Sequence, residues 1–350
     1  MNGEELRAIR ERRGEDQLSF ATWLNGALGR RYDRSRISRW ESGAERIPQQ
    51  VAGFLSAHGA PPAATSFPSP ARPAAASRPP AARRRRAVLA VANQKGGVGK
   101  TTTAVNLSYA LSTLGLSVLL IDSDPQGNAT VHLGLDPGEI ETSRKGLYSV
   151  LRGGAALDDI LQPVCNGALM LAPSSIGLAA AETELVAEPD NSLVLKEKLG
   201  EVRGRYDVVV IDCPPNLGLL TINALAASDL VLIPVQTEVF AGLGVPLLLE
   251  TIAKIRRRSN PSLNIFGILP TMFSSRLTQD QASLREIQAH YEGRTRVLSA
   301  VPRATLFAQA SGAGRPAIEA DPNSGSVQAY AELARELDAH LQTADAAHVS

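Results

Sequence analysis

Ala87-Val-Leu-Ala-Val-Ala-Asn93-Gln94-Lys95-Gly96-Gly97-Val98-Gly99-Lys100-Thr101-Thr102-Thr103 joins an unbroken apolar run to a glycine-rich turn and then to a stretch of helical character. An apolar run of this length, Ala87 to Ala92, reads as a strand buried on both faces. Glycines at 96, 97 and 99 let the backbone turn tightly and aim its amides inward, where the N-terminus of the next helix also favours an anion. A triphosphate fits such a cradle. The backbone from Lys95 to Thr102, Val98 included, would wrap the phosphates, Lys100 would reach the β- and γ-phosphates, and the Thr101 hydroxyl would coordinate Mg²⁺. The chain uses 30 Arg but only 6 Lys, and two of the six stand in this loop, so the site calls for a compact ammonium rather than a guanidinium fork.

Downstream of this stretch, short apolar runs alternate with amphipathic ones, as expected of a parallel sheet with crossover helices. Strands are expected at Ser117 to Ile121, Leu169 to Ala172, Asp207 to Ile211, Leu230 to Pro234, Ile265 to Leu269 and Val297 to Val301. Helices are expected near 101–114, 217–227, 242–258, 279–291 and 326–342. The fold class is therefore α/β, a doubly wound and mostly parallel sheet carrying a P-loop nucleotide-hydrolase site, preceded by a small all-α domain.

Upstream the composition changes. Residues 59–86 hold seven Pro and nine Ala with no acid, and end in Arg83-Arg84-Arg85-Arg86. This stretch cannot bury a core and reads as a semi-rigid tether. The Arg run is either a solvated flank or a contact for nucleic-acid phosphates. Three segments follow: a helical domain over 1–58, a linker over 59–86 and the ATPase domain over 87–345. The formal net charge of +1 conceals +2 over residues 1–58, +6 over 59–86 and −7 over 87–350. Positive potential gathered in the first quarter suits an anionic polymer. Hydrophobic residues make up 44% and charged ones 20%, with no apolar run near the roughly 20 residues that span a bilayer. The charged start, Met1 to Arg12, offers no secretory core, so the expected location is the cytoplasm. Cys165 and Cys213 are the two cysteines and lack metal-ligand spacing, which argues against a zinc or iron–sulfur site.

Carboxylates stand at two further strand ends, in Ile121-Asp122-Ser123-Asp124-Pro125-Gln126-Gly127-Asn128 and in Val208-Val-Val-Ile-Asp212-Cys-Pro-Pro215. Either Asp alone could simply cap a loop or helix; beside the phosphate cradle they read as its metal and water partners. Gln94 stands where the usual phosphate loop has Gly, and Lys95 opens the loop. This form resembles the ParA/MinD family of deviant Walker ATPases. The resemblance covers residues 87 to about 342, including Pro234-Val-Gln-Thr-Glu238, Thr271-Met-Phe and Pro302-Arg303. It implies an ATP-sandwich homodimer in which Lys95 reaches the facing subunit's nucleotide. It also implies that Asp124 orients the attacking water, that Asp122 supports the metal, and that Asp212 holds a metal-bound water. Lys95, Lys100 and Asp124 are the implied catalytic residues, with ATP and Mg²⁺ as cofactors.

Leu6 to Arg10 begins an amphipathic helix, Gln17 to Ala21 a second, and Arg36-Ile37-Ser38-Arg39-Trp40-Glu41-Ser42-Gly43 reads as a third ending at Gly. Ile37 and Trp40 would face a core, leaving Arg36, Ser38 and Arg39 for phosphates or base edges. The segment resembles the Cro/C1 repressor-type helix-turn-helix domain. It departs from that pattern at Asp16 and in the length from Gln17 to Glu41. A helical protein–protein module is the other reading.

Within the ATPase group, the acidic segment Tyr330 to Ser350 lacks a basic membrane-binding face, against a MinD-like role. The remaining resemblance is to plasmid or chromosome partition ATPases, associated with the nucleoid. It implies non-specific duplex DNA and a ParB-type centromere-binding protein as partners, with the N-terminal module repressing its own operon. Arg276 matches a family DNA contact and Arg303 is a further candidate, whereas Leu306 stands where the family often has Arg. The alternatives are an ATP-gated transcriptional repressor and a MinD-like positioning ATPase.

Overall fold

A computed structural model describes residues 3–12, 17–28, 30, 32–58, 86–188, 190–237 and 244–346. The linker residues 59–85, with Arg83 to Arg85, lie outside the described residues, as do Asp16, Glu238 and residues 242–243 of an expected helix. The chain divides into two compact units, Met1–Pro79 and Pro80–Ser350, and the division falls inside the stretch expected to be a linker.

In the first unit, α1 (Gly3–Arg12), α2 (Gln17–Leu28), α3 (Arg34–Glu41) and α4 (Gln49–His58) enclose Leu6, Phe20, Leu24, Ile37, Trp40, Val51 and Leu55. Asp33 caps α3 by accepting from Arg36 N at 2.7 Å, which satisfies one of the free amides of its first turn. Glu41 ties three helices together: it accepts from Arg10 Nε at 2.6 Å and from Gln17 Nε2 at 2.7 Å. Asn25 pins the long connection before α3 through both the N–H and the carbonyl of Tyr32.

The second unit is built on seven strands: β1 (Ala87–Val91), β2 (Val118–Asp122), β3 (Gln162–Val164), β4 (Leu169–Ala172), β5 (Val208–Asp212), β6 (Leu230–Gln236) and β7 (Asn264–Thr271). Their spatial order is β3-β4-β2-β5-β1-β6-β7. All neighbours run parallel except β3, which pairs antiparallel with β4 at the edge. Every residue of β1, β2 and β5 is buried, because helices cover both faces. Val88 and Ala90 enter the core on one face, and Ala87, Leu89 and Val91 the core on the other.

The helices of this unit are α5 (Lys100–Thr113), α6 (Asn128–His132), α7 (Pro137–Ser143), α8 (Leu147–Leu151), α9 (Leu157–Ile160), α10 (Leu178–Glu184), α11 (Val194–Gly200), α12 (Leu219–Ala227), α13 (Gly244–Arg258), α14 (Thr278–Tyr291), α15 (Leu306–Gly312), α16 (Ala317–Ala320) and α17 (Gly325–Ala346). The closing α17 lies along α5, where Tyr330 Oη and Thr103 Oγ1 share a buried hydrogen bond of 3.1 Å. Asn106 of α5 also holds the start of α16, accepting from Ala317 N at 2.8 Å.

One expected strand is corrected. Val297 to Val301 runs beside β7 but forms isolated bridges, at Val297 and Pro302, rather than a strand. Leu298 N donates to the Ile268 carbonyl, and the next donor of a parallel ladder would be the N–H of residue 270. Pro270 has none, and the pairing resumes out of step with Val301 N to the Pro270 carbonyl.

Candidate active site

Three neighbouring strands end at one cleft. β1 delivers the glycine loop, β2 delivers Asp122 to Asp124, and β5 delivers Asp212 in register opposite Asp122. The connection from β1 runs to one side of the sheet and that from β5 to the other, which opens a crevice at the carboxyl edge. The cleft holds about 390 Å³ and is lined by Gly96, Gly97, Lys100, Thr101, Thr102 and Asp124, with Asn128, Val131 and His132 on its far wall.

The loop is tied at both ends. Asn93 Nδ2 donates to the Pro234 carbonyl at 2.6 Å while its Oδ1 accepts from Lys95 N at 3.1 Å, and Thr271 Oγ1 donates to the Val98 carbonyl at 2.9 Å. Gly97 and Gly99 take φ of +73° and +83°, where a side chain would be strained, and Gly99 is the residue from which α5 starts. Lys95 is exposed on the loop. Lys100 is buried, and its Nζ donates to the Lys95 carbonyl at 3.1 Å. Burial lowers its pKa, against the opposing pull of Asp212 and then of Cys213 and Asp124. A phosphate in the cleft would supply the negative charge this ammonium lacks.

Asp212 is fully buried, and neither carboxylate oxygen completes a hydrogen bond. Its pKa is raised well above the usual Asp range, first by burial and then by Asp122; the nearby Thr101 hydroxyl offsets this in part as a weak partner, short of full hydrogen-bond geometry. A buried carboxylate left without a partner is costly in isolation and fits a hard divalent cation, which takes oxygen ligands. Asp212 and Thr101 thus form a donor pair suited to Mg²⁺.

Asp122 differs. Its Oδ2 accepts from Thr130 N at 2.8 Å and Thr130 Oγ1 at 2.7 Å, and its Oδ1 from Asp124 N at 3.2 Å. Burial still pushes its pKa up to about 6. These bonds fasten the loop 123–127 and α6 to the end of β2. Asp124 accepts from Gln126 N at 3.0 Å through Oδ1, and its carbonyl accepts from Ser174 Oγ at 2.7 Å. Thr130 Oγ1 accepts in turn from Ser174 N at 2.9 Å. Thr130 and Ser174 are supports that sequence reasoning missed: they are ordinary polar residues brought together only by the fold.

A second cavity of about 390 Å³ opens on the other side of Gly99 and Thr102. Thr271, Met272, Pro302, Arg303, Phe307 and Tyr330 are among its walls, largely apolar and of a size for a nucleobase.

A family model described as an AAA domain matches residues 86–265. The sporulation initiation inhibitor protein Soj of Bacillus subtilis is 41% identical over 253 residues, which cover 72% of this chain and 98% of Soj. The chain belongs to the Soj/ParA family. Another Soj/ParA relative, the chromosome partitioning protein ParA of Caulobacter vibrioides, is 40% identical over 252 residues, 71% of this chain and 93% of its own. Among solved structures, a Mycobacterium smegmatis protein described as cobyrinic acid a,c-diamide synthase with bound ADP and magnesium is 37% identical, with a TM-score of 0.65, covering 74% of this chain and 96% of that one. A plasmid partition protein from Borrelia burgdorferi bound to AMPPNP is 25% identical with a TM-score of 0.60, over 72% and 98% of the two chains.

The Soj/ParA likeness leaves the DNA-facing candidates to the structure's geometry. Arg36, Ser38 and Arg39 are exposed on α3 while Ile37 and Trp40 are buried, as the spacing requires. Glu45 bridges the two arginines, at 3.0 Å from Arg36 and 3.1 Å from Arg39. Arg276 is exposed after β7. Arg303 stands in the wall of the second cavity, and its Nε donates to the Met272 carbonyl at 3.3 Å. No described helix is long and apolar enough to cross a membrane.

Proposed function

We propose that this chain is a partition ATPase that binds ATP and Mg²⁺ at the cleft, joins a second copy across it, holds duplex DNA as the dimer, and is reset by hydrolysis. The observation that carries this reading is a glycine-lined cleft bordered by Lys100 and Asp124, with Asp212, whose oxygens complete no hydrogen bond, buried at the end of the adjoining strand β5. Named relatives that are partitioning proteins support it.

Gly96 to Thr102 position the phosphates, and the second cavity takes the base. Magnesium, held by Thr101 and Asp212, would neutralise charge on the β- and γ-phosphates. Lys100 follows that charge as it develops, and Asp124, fixed by Gln126 N and Ser174, orients a water for in-line attack. Asp122 keeps the loop in place and supports the metal from behind. Lys95, exposed on the loop, would reach the nucleotide of a facing copy. A reaction resting on positioning and completed across a dimer is slow until a partner stabilises it; a ParB-type centromere-binding protein is that partner, and the nucleoid the site of action.

A second reading, an ATP-gated repressor acting on its own operon, is favoured by the exposed Arg36, Ser38 and Arg39 on α3. Binding of the full chain to random-sequence duplex DNA tests the proposal, followed by fluorescence anisotropy with Mg–ATP or ADP across a salt series. ATP-dependent, steeply salt-sensitive binding that Lys100→Ala abolishes is expected. Equal binding in both nucleotide states would overturn the partition reading.

A further inference from the structure

Helix α6 is anchored at its centre and at its C-terminal end. At its centre Thr130 is bonded to Asp122 through its N–H and hydroxyl, next to the loop of Asp124. At the C-terminal end, His132 is buried with its ring beside the Arg315 backbone carbonyl, a weak partner short of full hydrogen-bond geometry, while its Nε2 completes no hydrogen bond. Two residues on, Gly134 packs backbone to backbone on Gly314. A Cβ on Gly134 would stand 3.3 Å from the Gly314 carbonyl oxygen, and one on Gly314 3.0 Å from the Gly134 Cα. Both glycines have positive φ, +81° and +67°. A side chain at either position would be strained by the positive φ and would push the neighbouring segment back by a few tenths of an ångström.

Gly314 and Arg315 stand two and three residues past the end of α15, and Ser311 of α15 lines both the phosphate cleft and the second cavity. A nucleobase is the same in ATP and ADP, so contacts to the base cannot give α15 different positions in the two states. A ligand shifts a conformational balance only through contacts that differ between its forms. The γ-phosphate is that difference, and it falls at Lys100 and Asp124, on the loop that Asp122 and Thr130 bind to α6.

We propose that α6 transmits the presence of the γ-phosphate to α15, with His132 as a positioning residue and the Gly134–Gly314 contact as the coupling surface. The proposal rests on the ATP reading of the cleft and is independent of DNA binding. α15 then differs in position or protection between triphosphate and diphosphate states, and anything docked on it would sense the nucleotide.

Amide hydrogen exchange on the full chain, with saturating Mg–ATPγS or Mg–ADP, tests this. Exchange over 306–315 should differ about tenfold between the two nucleotides in the unsubstituted chain, the scale of an ordinary allosteric coupling. His132→Leu fills the ring's space without a donor to Arg315 and should reduce the difference to below about twofold. His132→Gln, which restores a donor, should recover it. The coupling is overturned if 306–315 exchanges equally in both states of the unsubstituted chain, or if His132→Leu keeps the full difference. Protection of 93–102 by nucleotide serves as the separate readout: its absence in the unsubstituted chain would remove the ATP-site reading and the coupling with it.

Discussion

Asp122 and Asp212 stand opposite one another at the carboxyl ends of adjacent parallel strands, both fully buried. Burial raises both pKa values; Asp122 adds to the rise at Asp212, and Asp124 to that at Asp122. Asp122 is compensated by three donors, whereas Asp212 completes no hydrogen bond. Ionising Asp212 is therefore costly in the empty protein, offset only in part by Thr101 and Lys100, and a metal bound there would lower that cost.

The sign of the resulting pH dependence follows. A carboxylate whose folded pKa is raised binds more protons folded than unfolded, so its contribution is fully present below the ordinary Asp value and is lost as pH rises through the folded value. For Asp122 that window runs from 3.8 to about 6; for Asp212 it starts at 3.8 and extends upward. Asp212→Asn should therefore flatten the part of the profile in which stability falls as pH rises from 3.8, so that its stability relative to the unsubstituted, nucleotide-free protein increases with pH. Urea unfolding at a series of pH values measures it. The same variant should lose the extra stabilisation that Mg²⁺ gives over ATP alone. A stability difference that stays constant with pH would show that Asp212 is already compensated in the empty protein.

The two lysines of the loop should fail differently. Lys100 is buried against the loop's own backbone, so Lys100→Ala should abolish nucleotide binding in a titration with a fluorescent ATP analogue. Lys95 is exposed on the loop, so Lys95→Ala should retain binding but lose ATP-dependent dimerisation by light scattering, with hydrolysis reduced on the order of 10³-fold as for a charge supplied in trans. Asp124→Ala should retain both binding and dimerisation and stop phosphate release. Undiminished hydrolysis in Lys95→Ala would place catalysis within one copy.

How much of this was legible in the sequence depends on how locally each feature is encoded. β1, β2 and β5 are buried on both faces and read as continuous apolar runs, and the chemistry falls at their ends, where Lys100, Asp124 and Asp212 follow directly. β3 was missed because Gln162-Pro163-Val164 is short, contains Pro and forms only an edge pair. Helices α6 to α11 were missed because the longest spans 7 residues, too few for a helical period to show. Val297 to Val301 has the composition of a strand, but its pairing fails on Pro270, a residue in another segment. Thr130 and Ser174 meet across 44 positions, and nothing in either neighbourhood announces the contact. Arg303 carries a charge that suits DNA, and only the fold shows that it borders the second cavity.

Thr130 offers a test of the loop's architecture. Thr130→Val preserves shape but removes a donor to Asp122 and an acceptor for Ser174 N, leaving two buried groups short of partners. Loss of about 1–3 kcal/mol in urea unfolding is expected. Hydrolysis should fall more than nucleotide affinity, because the loop that carries Asp124 loosens while the phosphate cradle does not. A variant with unchanged turnover would detach Thr130 from the positioning of Asp124.

Glu45 sets the charge that α3 presents. Arg36 and Arg39 both donate to its carboxylate, which holds the Glu45 pKa below its ordinary value, with Arg39 the larger cause. The three side chains are solvent-exposed or nearly so, and exposed ion pairs are weak, so a DNA phosphate can displace Glu45. Displacement still leaves a carboxylate beside the phosphate, which weakens binding without adding selectivity. Glu45→Gln should therefore raise duplex affinity about three- to tenfold at low salt through one more net positive charge, and the gain should shrink as salt rises. Anisotropy titrations of the full chain and of Glu45→Gln without nucleotide, across a salt series, measure this. The Arg36→Ala and Arg39→Ala variants should each lower affinity in the same assay. Duplex affinity indifferent to all three substitutions would assign α3 to a protein partner rather than to DNA.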